Sequence, residues 1–413
     1  MSQGRNMVVV AGRSWNGLSE HSAGPTQILV RHGRIVDVAA RVDDRGADII
    51  DLADRTLLPG FIDCHVHTTM DPSRIMDAVV SDPATVTALN ALPTLKTLLH
   101  NGFTTVRDLG AFTAEPITIY LRNAVAARLL TGPRLVVAPH FISARGGHGD
   151  FSSLLDPQIG TELGALADGP VEIASLVRRD VRAGADWIKF GATGGFGSPS
   201  DDPGQALYSQ DEMDTLVATA RDLGVPCTPH AYGDEGISRA LEAGVRSIEH
   251  GNLASAATLK SMEQQGVFLV PTQYMVIDAV NHLDDDTYWV GKSPAERKKF
   301  SRYEEQLRES ARNVAASKVN VAFGTDAGMF PHAENWREFP TMVSTGITPL
   351  RALRAATSVA AGLLQRPDLG RIEAGATADL IALADDPFSD IEATGAVEFV
   401  MQSGIVHRAP DSL

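Results

Sequence analysis

The chain has 413 residues, 44% of them hydrophobic and 21% charged, with a formal net charge of −15. That length suits one large domain plus a smaller one, and the composition is that of a folded protein, not a disordered one. The acidic balance speaks against nucleic acid and anionic membrane as partners; no apolar run is long enough to span a bilayer, and the start "MSQGRNMVVVAGRSW" has no long apolar core of a signal peptide.

Residues 1–56 read as short β-branched strands, "MVVVAG", "QILVRHGRIVDVA" and "ADIIDL", cut by Gly and Asp turn signals. From 57 to 368 the pattern changes to apolar strands alternating with helices. The strands are "LLPGFIDCHVH", "FTTVRDLG", "RLVVAPH", "DWIKFGA", "VPCTPHAY", "RSIEHG", "VFLVPTQ" and "VNVAFGTDA". Among the helices, "SQDEMDTLVATARDLG" opens with a capping box of Ser209 and Glu212 and closes at Gly224. Residues 369–413 return to strands, and "QSGIVHR" there matches the hairpin "RHGRIVDV" near the start. The two ends are expected to pair into one small β-sandwich domain. Eight strand–helix units over roughly 300 residues predict a (β/α)8 barrel of TIM type, with its active site at the C-terminal ends of the strands. A doubly wound open sheet is weaker, because no G-x-G-x-x-G opens a helix after the first strand.

Those strand ends carry the chemistry. His65 and His67 stand two apart after an apolar run, so on a strand both imidazoles face the same way. Lys189 follows on strand four, His230 on strand five, His250 on strand six and Asp326 on strand eight. Six metal-capable groups at the one end where function is built form a set that scattered core histidines do not explain. Lys189 lies between Ile188 and Phe190, and burial there disfavours the ammonium; a neutral amine can take up carbon dioxide as a carbamate, whose two oxygens can bridge two metals. Tyr232, in phase with His230, is a candidate donor to an oxyanion or a substrate carboxylate. His148 sits in the glycine-rich "ARGGHGD" loop, where backbone comes close to ligand, and Arg145 beside it is a weaker candidate for gripping a carboxylate. His140 and His332 read as structural, His332 tying its loop to Glu338. "GATGGFGSPSDDPGQALYS" lacks the ending of a phosphate loop and reads as a mobile lid. Cys64 and Cys227 make no disulfide framework, so a reducing, cytoplasmic setting is expected.

The motifs "LLPGFIDCHVHTT", "GFTTVRDLG", "ISARGGHGD", "IKFGATGGFGSPSDDP", "HAYGDEGISRALEAGVRSIEHG", "PTQ", "GTDAG" and "GRIEAGATADLIAL" together resemble the amidohydrolase superfamily, in the branch of imidazolonepropionases, prolidases and ochratoxin-hydrolysing amidases. Lys189 departs from the imidazolonepropionases and resembles binuclear, carboxylated-lysine members. The resemblance implies two divalent ions, zinc being the first candidate. His65, His67 and Asp326 would hold the buried ion, His230 and His250 the exposed one, and carboxylated Lys189 would bridge them. An activated water would attack the amide carbonyl, with Asp326 carrying its proton to the leaving amine. The expected substrate is a small amide or dipeptide cleaved beside a C-terminal amino acid, as by a dipeptidase or carboxypeptidase, N-acyl amino acids of the ochratoxin type included. A cyclic-amide hydrolase of the imidazolonepropionase type is the alternative. A non-catalytic scaffold is disfavoured because every ligand position is filled. A homo-oligomer is expected.

Overall fold

A computed structural model describes residues 6–43, 46–156, 158, 162–198 and 201–410. The first residues of the chain, read above for a leader, and Pro199 and Ser200 of the expected lid lie outside them.

The chain ends build one sheet. Strands β1 (Met7–Ser14), β2 (Thr26–Arg31), β3 (Arg34–Ala39) and β4 (Asp48–Pro59) join β15 (Leu380–Leu383), β16 (Val397–Gln402) and β17 (Ile405–Arg408) in the order β17-β16-β15-β4-β1-β2-β3. Both expected hairpins form. Their two-residue turns, His32-Gly33 and Ser403-Gly404, have positive φ at both positions (50° and 75°, 49° and 73°), the backbone that matches the twist of paired strands and that glycine takes without cost. The turns belong to opposite edges of the sheet yet meet: a Cβ on Gly404 would stand 2.9 Å from the Gly33 Cα, and Ala378 donates to Gly33 while accepting from Gly404. The sheet therefore curls around its own apolar face, where Val9, Ile28, Leu52, Leu380 and Phe399 pack. β4 keeps Leu57, Leu58 and Pro59 paired with β15.

The barrel strands are β5 (Phe61–Val66), β6 (Phe103–Asp108), β7 (Arg134–Val137), β8 (Phe141–Ser143), β10 (Ile188–Gly191), β11 (Cys227–Ala231), β12 (Ser247–His250), β13 (Phe268–Val270) and β14 (Asn320–Val321), with the short β9 (Ala165–Leu166) added beside β8. All their pairings are parallel. β7 and β8 are two halves of the third strand: β7 pairs with β6 and β8 with β10, and Pro139, which has no N–H to give, sits in the break. The circle closes through backbone hydrogen bonds from Cys64 N–H to Phe323 (2.8 Å), Asp326 N–H to His65 (2.7 Å) and His67 N–H to Ala327 (2.8 Å). The helix Gln210–Asp222 has the expected reciprocal capping box of Ser209 and Glu212, and Gly224 follows its end at φ 78°. Among the described residues no helix is long and apolar enough to cross a membrane.

Candidate metal centre

Three of the expected ligands converge at the C-terminal mouth of the barrel. His65 Nε2 lies 3.2 Å and His67 Nε2 3.3 Å from Asp326 Oδ1, and one ligand atom from each falls within 4.8 Å of the others, all buried. The other ring nitrogens are engaged elsewhere, which turns each Nε2 toward the common point. His67 Nδ1 donates to the Gly110 carbonyl at 2.9 Å. His65 Nδ1 faces Glu249 Oε2 at 2.9 Å. Asp326 reaches this place because Gly324 lets the eighth strand rise against β5; a Cβ there would stand 2.2 Å from Val270 and 2.9 Å from the His65 Cβ.

His230 and His250 stand alongside. Their rings are 4.6 Å apart, and His250 is 5.0 Å from His65, centroid to centroid. His250 Nδ1 pairs with Thr272 Oγ1 (2.8 Å) and His230 Nε2 with the Gly194 carbonyl (3.2 Å), leaving one nitrogen of each as a possible ligand. Burial, together with repulsion from neighbouring imidazoles (His148 and His250 for His230, His65 for His250) and the nearby Lys189, holds both imidazoles well below the usual histidine range, so both are neutral, the form that ligates a metal. His250, Thr272 and Asp326 all have positive φ (71°, 44° and 64°). Such backbone is costly for residues with a Cβ and collects at functional sites; here it falls on two expected ligands and on the partner of one of them.

Lys189 is the most telling residue. It is 2% exposed, and among the described residues its Nζ has no hydrogen-bond partner. Burial pushes the ammonium from 10.5 down to about 8, against the pull of Glu249 and Asp326. Asp186 does not serve it; that carboxylate takes Arg122 Nη1 at 2.7 Å and the Val137 N–H at 2.9 Å. A buried amine with no partner is expensive, and a group that used it would remove that cost. The donor set of imidazoles, a carboxylate and a carboxylatable amine fits divalent ions such as zinc.

Tyr232 is buried with its ring stacked on His250 at 4.8 Å, and burial raises its phenol well above the usual value, so it stays a proton donor. His148 stacks on His230 at 4.3 Å and shares a hydrogen bond with Ser198 Oγ at 2.9 Å. Arg145 is engaged within its own chain. Its guanidinium pairs with Glu162 (2.6 Å), Asp168 (3.0 Å) and Glu172 (2.9 Å). His140 pairs with Asp180 at 2.9 Å. His332 donates to the His67 carbonyl at 3.0 Å and not to Glu338, which accepts instead from the Gln273 and Tyr274 N–H groups. In the segment read as a mobile lid, described residues on both sides of 199–200 are hydrogen-bonded: Lys299 Nζ donates to the carbonyls of Gly195 (2.7 Å) and Ser198 (2.5 Å), and Tyr303 Oη to Asp202 Oδ1 (2.5 Å).

Sequence reading missed Glu249 and Arg107. Both are fully buried, joined at 2.6 Å, and Arg107 also donates to the Cys64 carbonyl at 2.6 Å. Burial pushes the Glu249 carboxyl up, but Arg107 and His65 hold it well below the usual carboxylate range. An ionised carboxylate behind a ligating imidazole fixes its ring and its tautomer. The adjacent pair Glu249-His250 gave no signal, because strand alternation assigns neighbours to opposite faces; the left-handed backbone at His250 brings both to the centre. Glu249→Gln is expected to weaken metal retention about 10–100-fold and, by leaving Arg107 buried without its anion, to cost about 3–5 kcal/mol of stability. Chelator competition and a thermal melt measure the two effects, and unchanged retention would remove Glu249 from this role.

The amidohydrolase family model matches residues 56–408. The chain is 28% identical over 377 residues to the ochratoxinase of Aspergillus niger, covering 86% of this chain and 76% of that one. A crystal structure of a Xaa-Pro dipeptidase with bound methionine in the active site superposes with a TM-score of 0.91 at 31% identity, covering 98% of this chain and all of that one (100%). A prolidase complexed with N-methylphosphonate-L-proline gives 0.87 at 32%, with 98% and 100% covered. The chain belongs to the amidohydrolase family. It is a hydrolase, and its relatives support action on amides.

Proposed function

We propose that the protein is a binuclear, metal-dependent amidohydrolase that cleaves the amide beside a C-terminal amino acid, in dipeptides or N-acyl amino acids of the ochratoxin type. The observation that carries this reading is the buried Lys189 amine, which has no hydrogen-bond partner among the described residues and lies within electrostatic reach of His230 and His250 as well as of Asp326 and Glu249. The neutral amine adds to carbon dioxide, forms an N–C bond and releases one proton, and the resulting carbamate supplies the anionic oxygens that a two-ion site needs. A single-ion, cyclic-amide hydrolase of the imidazolonepropionase kind leaves that lysine without a use. Relatives named for ochratoxin and for Xaa-Pro dipeptides support the choice of substrate, and the buried free thiols of Cys64 and Cys227 suit a reducing cytoplasm.

His65, His67 and Asp326 would hold one ion and His230 and His250 the other, with carboxylated Lys189 shared. Bound there, divalent ions lower the pKa of water and polarise a carbonyl. Asp326 accepts a proton from the attacking water and returns it to the departing nitrogen. The Tyr232 hydroxyl donates to the carbonyl oxygen as its charge grows. Asp63, which accepts from the His65 N–H (3.1 Å) and from the Thr325 N–H (3.2 Å) and Oγ1 (2.7 Å), keeps the first and eighth strands in register.

Elemental analysis of fully active protein should find two divalent ions per chain, and the metal-loaded protein should hydrolyse N-acyl amino acids or Xaa-Pro dipeptides. One ion at full activity would favour the cyclic-amide reading. Tyr232→Phe should lower kcat about 10²-fold or more if the hydroxyl serves the oxyanion; a change in KM alone would instead assign it to the substrate carboxylate.

A further inference from the structure

We propose that Glu338 is a positioning residue for the metal centre: by capping the helix that follows β13 it releases the Thr272 hydroxyl to hold the His250 ring. The proposal rests on the reading of His250 as a metal ligand and adds the means by which its ring is set.

Thr272 immediately precedes the helix Gln273–Asn281 and so stands at its N-cap. A threonine there ordinarily keeps its own backbone extended and turns its hydroxyl back on the helix, accepting from one of the first N–H groups, which have no partner inside the helix. Thr348 does this elsewhere in the chain: at φ −67° and ψ 150°, its Oγ1 accepts from the Arg351 N–H at 3.3 Å. Thr272 differs. Its backbone is left-handed, φ 44° and ψ 51°, and its side chain makes no capping bond to the helix. Its Oγ1 instead meets His250 Nδ1 at 2.8 Å.

The helix is capped from another part of the chain. Glu338, fully buried at the start of the helix Glu338–Ser344, accepts the Gln273 N–H through one oxygen (2.8 Å) and the Tyr274 N–H through the other (2.6 Å). Two acceptor oxygens at the positive end of a helix take the place of the usual hydroxyl. The other side of Thr272 is pinned as well: Asn252 Nδ2, two residues past His250, donates to the Pro271 carbonyl at 2.8 Å. Thr272 is thus held between two fixed neighbours in a backbone conformation that is costly for a β-branched residue. The result falls on the His250 tautomer. A hydroxyl oxygen that accepts from Nδ1–H leaves the Nε2 lone pair for an ion. A hydroxyl that capped its own helix would leave Nδ1 without this partner and the ring free to turn.

The test is metal retention by the full-length protein loaded with zinc and challenged with a chelator. Thr272→Val keeps the β-branched shape and removes the hydroxyl; Glu338→Gln keeps the size and replaces one acceptor with an amide nitrogen that cannot accept an N–H. Each should weaken retention about 10–100-fold, and Thr272→Ser should stay near the parent. The double variant of Thr272→Val and Glu338→Gln should retain metal as Thr272→Val does, because both changes break one path. A Glu338 with a structural role alone would lower the melt and leave chelator competition unmoved. Losses of retention that add in the double variant, or a Thr272→Val or Glu338→Gln protein that retains metal as the parent does, overturn the proposal. A parent that binds one ion at full activity defeats the binuclear reading alone. Crystal structures of metal-free parent and Glu338→Gln then decide this one: the Thr272 hydroxyl should turn to the helix N–H groups in the variant and release the His250 ring, and an unchanged contact between Thr272 and His250 overturns it.

Discussion

Asp326→Asn should fold and lose at least two orders of magnitude in kcat/KM on its best amide. Asparagine has the size of aspartate, and the backbone hydrogen bonds that hold the residue at φ 64°, Asp326 N–H to His65 and Met329 N–H to Asp326, do not involve the side chain. Asparagine also tolerates left-handed backbone better than most residues. What changes is charge and proton traffic. Burial pushes the Asp326 carboxyl up, but His65, His67 and His250 hold it well below the ordinary value, so the parent carries a carboxylate there across the neutral range. The amide can neither accept the proton of the attacking water nor return one to the leaving nitrogen, and a positioned carboxylate in that task contributes about 10²–10⁴ in rate. The amide is also a poorer partner for a divalent ion between His65 and His67, so part of the metal should be lost and the melt should fall by that linkage alone. Steady-state kinetics, elemental analysis and a melt at fixed metal measure the three outcomes. A variant that keeps most of the parent's activity would remove Asp326 from the proton path.

Lys189→Ala should be nearly inactive and retain less metal, and short carboxylates such as acetate or propionate should restore part of the rate. The substitution vacates the only described side chain at the centre that carbon dioxide can convert into a bridging anion. A small acid can occupy the space that opens beside Phe141, whose ring lies 5.7 Å from the Lys189 Nζ. The pH dependence of assembly gives an independent check. Burial lowers the Lys189 ammonium to about 8; below that value the metal-free protein holds it protonated and unreactive, and above it the amine is free to add carbon dioxide. Reconstitution of metal-free protein with divalent metal and bicarbonate should therefore quicken as pH rises through about 8. Rates that are flat across this range, or a Lys189→Ala variant as active as the parent, would end the carbamate proposal.

The barrel and the sheet built from both ends were legible in the sequence because each depends on local pattern, and three of the six candidate ligands, His65, His67 and Asp326, are brought together by the fold. Strand-to-helix alternation defines the barrel, and one end of every strand in such a barrel is where ligands collect. His65 and His67 announced themselves by their spacing, and the two hairpins by a glycine placed where positive φ is required. The contacts of Arg145 and Glu249 were not legible. That a guanidinium pairs with Glu162, Asp168 and Glu172 depends on charges far along the chain, and the carboxylate behind His65 comes from a strand more than a hundred residues away. Glu249 faces the centre together with His250 only because the backbone at His250 leaves the strand region, at a cost that the surrounding packing bears and that no periodicity encodes. The same holds for Lys189. The sequence by itself determined that an apolar strand carries a lysine to the mouth of the barrel; only the tertiary structure decided that this lysine has no hydrogen-bond partner among the described residues, because the nearest carboxylate along the chain, Asp186, is already held by Arg122 and the Val137 N–H.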